Sequence, residues 1–277
     1  MENVVTPLQA LLLACVQGAT EFIPVSSSGH LVILRNLCGW SDDGGLFFDT
    51  ILHAGSLAAI LIYFWREWMQ VAQGLVRPKR VSSFYRYLPW FLVIAVIPAA
   101  IAAAGLFNFL EDETGARNMA TTGLSMIATG LWFWLCDRCE ARRADSGRTL
   151  ENFNWRDAFW MGMAQVVALL PGASRSGWTT GAGVLRGHSR AGAVRFSFYM
   201  AAPAIVGALI IQLPALWQAG PSPVPPALML AGFGCSFVVS LLAIRLCLWF
   251  FRAHSFRLFR YYMLTVGTAL LIWEFIS

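Results

Sequence analysis

Charge is what this chain has least of. Asp, Glu, Lys and Arg make up 13% of its 277 residues, against 57% hydrophobic residues, where a soluble domain carries about 25% charged residues. That shortage excludes a soluble globular domain. Long apolar runs recur from end to end, as in a polytopic membrane protein. Lysine is nearly missing: Lys79 stands alone, and arginine carries the rest of a net charge of +5. The cations fall in linkers between apolar runs, so topology accounts for them and no nucleic-acid partner is expected. A basic leader is also wanting. Glu2 is the only charge in "MENVVTPLQALLLACVQG", so no cleavable signal peptide is expected. Of the six cysteines only Cys136 and Cys139 form a CxxC, and without a second pair a zinc site lacks its ligands. They read as packing thiols on the reducing side of a membrane.

What is present is a set of apolar segments. A spanning helix needs ~20 apolar residues. Good candidates lie at roughly 48–65, 88–109, 118–135, 193–217, 227–251 and 258–276. Linkers 66–86 and 136–157 and the turn near 252–257 are rich in arginine. The alternate connections hold Asp42 and Asp43, or Glu111, Asp112, Glu113 and a single Arg117, or no charge at all in "QAGPSPVPP". The positive-inside rule places the basic loops in the cytoplasm and the others outside.

Two further regions, about 7–40 and 155–187, each hold two short apolar pieces broken by Pro, Gly and Ser. Such pieces do not cross a bilayer alone. They read as re-entrant hairpins whose irregular tips protein must bury or a wet cavity must line. A shift of 148 residues aligns the two regions. Gln17 falls on Gln165, Ser26 on Ser174, Ser28 on Ser176, Gly29 on Gly177, Phe48 on Phe196 and Ala54 on Ala202. Each half is then a hairpin followed by three spans, and an odd number of spans inverts the second half. The expected fold is an all-α polytopic membrane protein with an inverted-topology repeat, six transmembrane helices and two re-entrant helical hairpins. It forms a single integral membrane domain over 1–277, with repeat one at about 1–140 and repeat two at about 150–277. Such folds place their site near the midplane, where the broken elements meet, so "EFIPVSSSGH" and "PGASRSG" should face each other.

The chemistry sits in those two loops. Serines before a glycine at a break mark a helix start, whose free N–H groups bind anions such as phosphate. Ser26 and Ser28 in the first loop and Ser174 and Ser176 in the second fit that cradle. Arg175 adds a planar fork matched to phosphate oxygens. Glu21 and His30 are ionisable groups in an apolar context, where a functional role is the default. A helix starting at the serines puts Ser27 and His30 on one face, a nucleophile or phosphate ligand beside a proton carrier. Asp49 and His53, four apart on the first span, and Gln165 are expected to back this set. Each piece has a plainer reading: a capping turn for "SSSG", a hydrogen-bonded packing residue for His30, close packing for Gly177, Gly181 and Gly183.

"QGATEFIPVSSSGH" and "PGASRSG" resemble the two signature motifs of the undecaprenyl-diphosphate phosphatase family, the bacitracin-resistance proteins, and "FFDTILHAGSLAAILIYFWREW" is similar to the segment after the first motif. The likeness runs over nearly the whole chain. It implies a multi-pass enzyme of the bacterial inner membrane, with its site open to the periplasmic face. That enzyme would hydrolyse undecaprenyl diphosphate to the monophosphate carrier lipid of cell-wall synthesis. It implies a site of Glu21, Ser26, Ser27, His30, Ser174 and Arg175, and a divalent cation, Mg or Ca. Glu21 is then a candidate metal ligand and Gln17 a weaker one, since many members carry a glutamate there. The partners implied are a polyprenyl diphosphate, the bilayer and a second copy in a homodimer. A secondary transporter or lipid-phosphate flippase is the rival, because inverted repeats with broken helices are common among transporters.

Overall fold

The structure, a computed structural model, describes residues 5–40, 45–105, 118–143, 147–219, 222 and 224–276. Among them there are eleven α-helices, two short 3₁₀ turns and no strands. Asp42, Asp43, Glu111, Asp112, Glu113 and Arg117 lie outside the described residues, as do residues 220, 221 and 223 of the uncharged connection.

Four short helices come in two pairs. The first pair is α1 (Pro7–Phe22) and α2 (Ser27–Cys38), and the second, described below with the later helices, is α7 (Trp155–Val167) and α8 (Arg175–Leu185). The longest, α1, has 16 residues, about 24 Å of rise, against a hydrocarbon core of about 30 Å. Local chemistry sets their bounds. Thr6 caps α1 in a reciprocal box with Gln9, and Pro7 occupies the first turn, where its missing N–H costs nothing. Asn154 and Asp157 form the same box for α7. Ser26 and Ser174 cap α2 and α8, each accepting the N–H of the glycine three residues on, at 3.3 and 3.2 Å.

The long helices are α3 (Gly45–Tyr63), α5 (Ser83–Gly105), α6 (Met119–Glu140), α9 (Arg190–Ala219), α10 (Pro226–Phe250) and α11 (Arg257–Ile276), with α4 (Trp65–Val76) between α3 and α5. Their positions match the apolar segments read from the sequence. Among the described residues α5, α6, α9 and α10 are each long and apolar enough to cross a membrane, and α3 with α4 makes a fifth if that bent pair counts as one span. The chain is therefore a multi-pass membrane protein.

Helix α4 corrects the reading of 66–86 as a linker. The chain turns by 70° after Tyr63 and continues as a 12-residue amphipathic helix. Trp68 and Val71 pack on the core while Arg66 stays exposed. Charge count alone marks 66–86 as a loop, but the spacing of Trp68 and Val71 gives Trp65–Val76 an apolar face, and Arg66 is the one arginine within it.

Packing follows hydroxyls and small residues, as expected where lipid offers helices no hydrophobic drive to associate. Helix α10 lies against both α1 and α3. Ser56 on α3 bonds Ser236 and Ser240 of α10 at 3.2 and 3.0 Å, and Ser240 reaches the Gly18 carbonyl of α1 at 3.3 Å. Helix α7 lies against α5, α9 against α3, and α11 against α6. An aromatic core of Phe64, Phe84, Phe153, Phe196 and Tyr199 fills the end of the bundle where the arginine-bearing connections gather.

Candidate active site

The two breaks, residues 23–26 and 168–174, touch. Gly172 allows it. Its φ of +84° suits glycine, and a Cβ there would come within 2.3 Å of the Thr122 carbonyl oxygen, while a Cβ on Gly29 of α2 would come within 3.0 Å of the Gly172 Cα. Across the junction the Ser176 hydroxyl donates to the Ile23 carbonyl at 3.4 Å. Arg175 donates from Nη2 to Glu21 Oε1 at 2.9 Å.

Glu21 is the centre of the site. It ends α1 and is 8% exposed. Besides Arg175 it accepts the Ser27 hydroxyl at 2.7 Å and the Gln17 Nε2 at 2.9 Å, both at Oε2. His53 Nε2 stands 3.8 Å from the same oxygen. A buried carboxylate needs such company to remain charged. Its company includes a nucleophilic hydroxyl, a cation and an imidazole, and these are the parts of a group-transfer site.

A cavity of ≈ 290 Å³ opens beside them, walled by Glu21, Ser26, Ser27, Ser28, His53, Gln165, Ser174 and Arg175. Its apolar side comes from Val96 to Ala103 of α5 and Pro203 to Ile211 of α9. Ala100 and Ala208 line the cavity and are exposed, so the gap between α5 and α9 reaches the outer surface of the bundle. One donor on the wall is left over. Arg175 Nη1 is buried and has no hydrogen-bond partner, and the Gln165 Oε1 is in the same state. An unpaired buried guanidinium N–H is costly unless a ligand takes it.

Most of the expected residues meet here, and several do other work than expected. Ser176 is not on the cavity wall and stitches the two breaks together. Gln17 lies behind Glu21 and not on the wall. His30 shares α2 with Ser27, yet the Ser27 hydroxyl goes to Glu21. The His30 ring donates from Nδ1 to the Ser26 carbonyl at 2.7 Å, and its Nε2 accepts the Tyr262 hydroxyl at 2.6 Å. With the Ser26 carbonyl taking the Nδ1 proton, the neutral ring is a strut between the serine loop and α11. Asp49 and His53 do not pair through their side chains. Asp49 is clamped by both terminal nitrogens of Arg35, at 2.6 and 2.9 Å, and its backbone carbonyl accepts His53 Nδ1 at 2.8 Å. That bond leaves His53 Nε2 free to face Glu21.

Tyr262 and Arg35 were not visible as site residues. Tyr262 is 232 positions from its partner His30, and no local pattern carries such a link. Tyr262→Phe deletes only the hydroxyl that holds His30. The expected result is a fall in kcat of about fivefold with KM unchanged, the worth of one hydrogen bond. Steady-state kinetics on both parameters checks it; unchanged kcat would remove the strut.

The donor set also bears on a cation. Among the described residues no three His, Cys, Asp or Glu side chains converge as a metal cage. What stands ready is the Glu21 carboxylate and the Gln17 Oε1, one helical turn away, buried and unpartnered. One carboxylate and one amide oxygen suit a hard cation that keeps its waters and is shared with substrate phosphates.

The undecaprenyl-diphosphatase of Gemmatimonas aurantiaca is 39% identical over 265 residues, 95% of this chain and 96% of the relative. That of Thermomicrobium roseum is 35% identical over 273 residues, covering 95% and 96%. The undecaprenyl-diphosphatase 2 of Stutzerimonas stutzeri is 37% identical over 273 residues, covering 96% and 97%. The family described as Bacitracin resistance protein BacA matches residues 10–269, which takes in both broken helix pairs and every residue of the cavity wall. The chain belongs to the bacitracin resistance protein BacA family.

Proposed function

We propose that this chain hydrolyses undecaprenyl diphosphate to undecaprenyl phosphate and inorganic phosphate, with Ser27 as nucleophile and Glu21 as its base. The carrying observation is a cavity lined by Ser27, Glu21 and Arg175, in which Ser27 is hydrogen-bonded to Glu21 and Arg175 keeps an unpartnered N–H. Arg175 and the first N–H groups of α2 and α8 hold the diphosphate oxygens. Ser27 Oγ attacks the terminal phosphorus and passes its proton to Glu21 Oε2. The bond to the bridging oxygen breaks, and its electron pair leaves on the lipid monophosphate. Once that proton has left Glu21 through His53, water attacks the phosphoserine phosphorus and gives a proton to Glu21; the P–Oγ bond breaks, Ser27 Oγ takes the proton back from Glu21, and inorganic phosphate departs. His53 carries protons between Glu21 and the cavity mouth. Glu21 would hold a magnesium or calcium ion from the cavity side, with the Gln17 amide behind it, and such an ion would supply charge neutralisation.

The reading extends to topology. Six spans and two re-entrant hairpins form an inverted repeat of about 1–140 and 150–277. Reciprocal packing supports it. The first hairpin's α1 lies on α10 of the second half, and the second hairpin's α7 lies on α5 of the first. The arginine-bearing linkers face the cytoplasm of a bacterial inner membrane. The cavity uses the later parts of α5 and α9, so it opens toward the other, periplasmic side.

Phosphate release from undecaprenyl diphosphate by the purified protein in detergent tests the activity. Lipid movement across vesicles without release would favour the transporter reading instead. A second test follows the prenyl tail. Gly207 lines the cavity, and a Cβ built on it meets nothing within 4 Å. A Cβ at 207 therefore meets no clash, and Gly207→Leu narrows the gap between α5 and α9. KM for the long-chain lipid should rise about tenfold, roughly 1.4 kcal/mol of lost binding, while a short prenyl diphosphate is little affected. Equal effects on both substrates would place the tail elsewhere.

A further inference from the structure

A second cavity lies at the opposite end of the bundle. It occupies ≈ 680 Å³ between the end of α6, the start of α9 and the turn joining α10 to α11. Along α9 it begins at Arg190, whereas the candidate active site uses Pro203 and beyond. That separation is about 20 Å of helix.

Its wall carries four arginines, Arg190, Arg252, Arg257 and Arg260, against two acids, Asp137 and Glu140. Both acids are occupied. Glu140 takes the Arg190 Nε through both oxygens at 2.7 and 2.9 Å, and Asp137 accepts the Phe256 N–H at 3.0 Å. No carboxylate among the described residues makes a salt bridge with Arg252, Arg257 or Arg260, though Arg260 feels the charge of Asp137, and Arg257 and Arg260 lie over the Tyr261 ring at 6.0 and 4.7 Å. Arg252 and Arg257 are exposed. Helices α9 and α11 also begin here, so their free N–H ends add to the positive field. An anion with several oxygens suits this arrangement, and phosphate is the group that arginine forks match.

The surroundings choose the source. Trp249, Leu258 and Tyr261 beside these arginines are 60%, 61% and 53% exposed. Exposed aromatic and aliphatic side chains next to arginines mark the level of lipid headgroups. We propose that this arginine-lined cavity binds the phosphate headgroup of an anionic lipid, whose tails lie along α10 and α11. Juxtamembrane arginines attract such lipids on the cytoplasmic leaflet. Nothing in the reaction requires this site, so it is a separate lipid contact at the other face of the enzyme.

The test uses the full-length protein and native mass spectrometry, with phosphatidylglycerol, phosphatidylcholine or inorganic phosphate as the probe. The wild type should retain phosphatidylglycerol over phosphatidylcholine by about tenfold. Arg252→Gln with Arg257→Gln should lose that preference and keep turnover in neutral detergent, because neither residue touches the catalytic cavity. Arg252→Gln alone should lose part of it, which covers the case of a poorly folded double variant. An equal preference in wild type and variants overturns the site. Tight retention of inorganic phosphate with no preference between the lipids overturns the lipid as its source.

Discussion

Arg175→Lys should lower kcat by about 10²- to 10³-fold. The substitution keeps the charge, so the loss isolates geometry. Arg175 already spends one terminal nitrogen on Glu21, and its other terminal nitrogen is buried and has no hydrogen-bond partner. A guanidinium serves both directions at once because its donors are fixed in a plane. An ammonium is a point donor on a flexible stem, and beside Glu21 it would collapse onto the carboxylate. Two effects follow from that collapse. The phosphate loses its clamp, and Glu21 is neutralised where it should accept a proton. Both act in the transition state, where charge spreads over the transferring phosphoryl oxygens. The fall should therefore appear in kcat more than in KM. Single-turnover phosphate release measures it, and a rate within a few-fold of wild type would show that no fork is needed.

The same residue shows what a sequence can disclose. Arg175 was legible because it sits between two serines in a break that repeats the first break 148 positions earlier. Backbone breakers set that signal. Pro24 and Gly172 interrupt apolar runs too short to span, and the serines that follow cap new helices. The meeting of Glu21 with Arg175 is what the proposed inverted repeat predicts, because such a repeat brings its broken elements together. Helix α4 was hidden for the opposite reason. Its core-facing residues, Trp68 and Val71, lie on one face of an amphipathic helix, and counting charge along the chain discards that periodicity.

The imidazoles divide differently. His30 and Ser27 stand three residues apart, a spacing that allows contact but does not require it. Which partner a hydroxyl takes is settled by the end of α1, which delivers Glu21 to 2.7 Å from Ser27. His30 is then turned to the Ser26 carbonyl and Tyr262. His53 reaches Glu21 from α3, in a contact between side chains on different helices that no local spacing encodes. Local patterns thus located the loops and their serines. The assignment of acid, base and strut among their neighbours needed the tertiary packing.

Ser27→Ala should reduce turnover by about 10⁴-fold or more, near the level left by binding and electrostatics alone. The hydroxyl is 2.7 Å from Glu21 Oε2 and lines the cavity, so its removal deletes the attacking atom and leaves the phosphate clamp in place. Binding should persist, and a tightly held but unreacted diphosphate is the expected state of this variant. Ser26→Ala offers the contrast. Ser26 caps α2 through its side chain, so its loss should cost about 1 kcal/mol of stability and a smaller share of rate. Glu21→Gln separates nucleophile from base. It keeps an oxygen for Ser27 but cannot take the proton, so the rate should fall and stay low across pH. Rapid-quench trapping with labelled substrate reads the intermediate directly: wild type should give an acid-stable phosphoserine at Ser27, and Ser27→Ala none. Near-normal turnover by Ser27→Ala would pass the attack to a water activated by Glu21, with His53 Nε2, 3.8 Å from the same carboxylate oxygen, as its nearest proton relay.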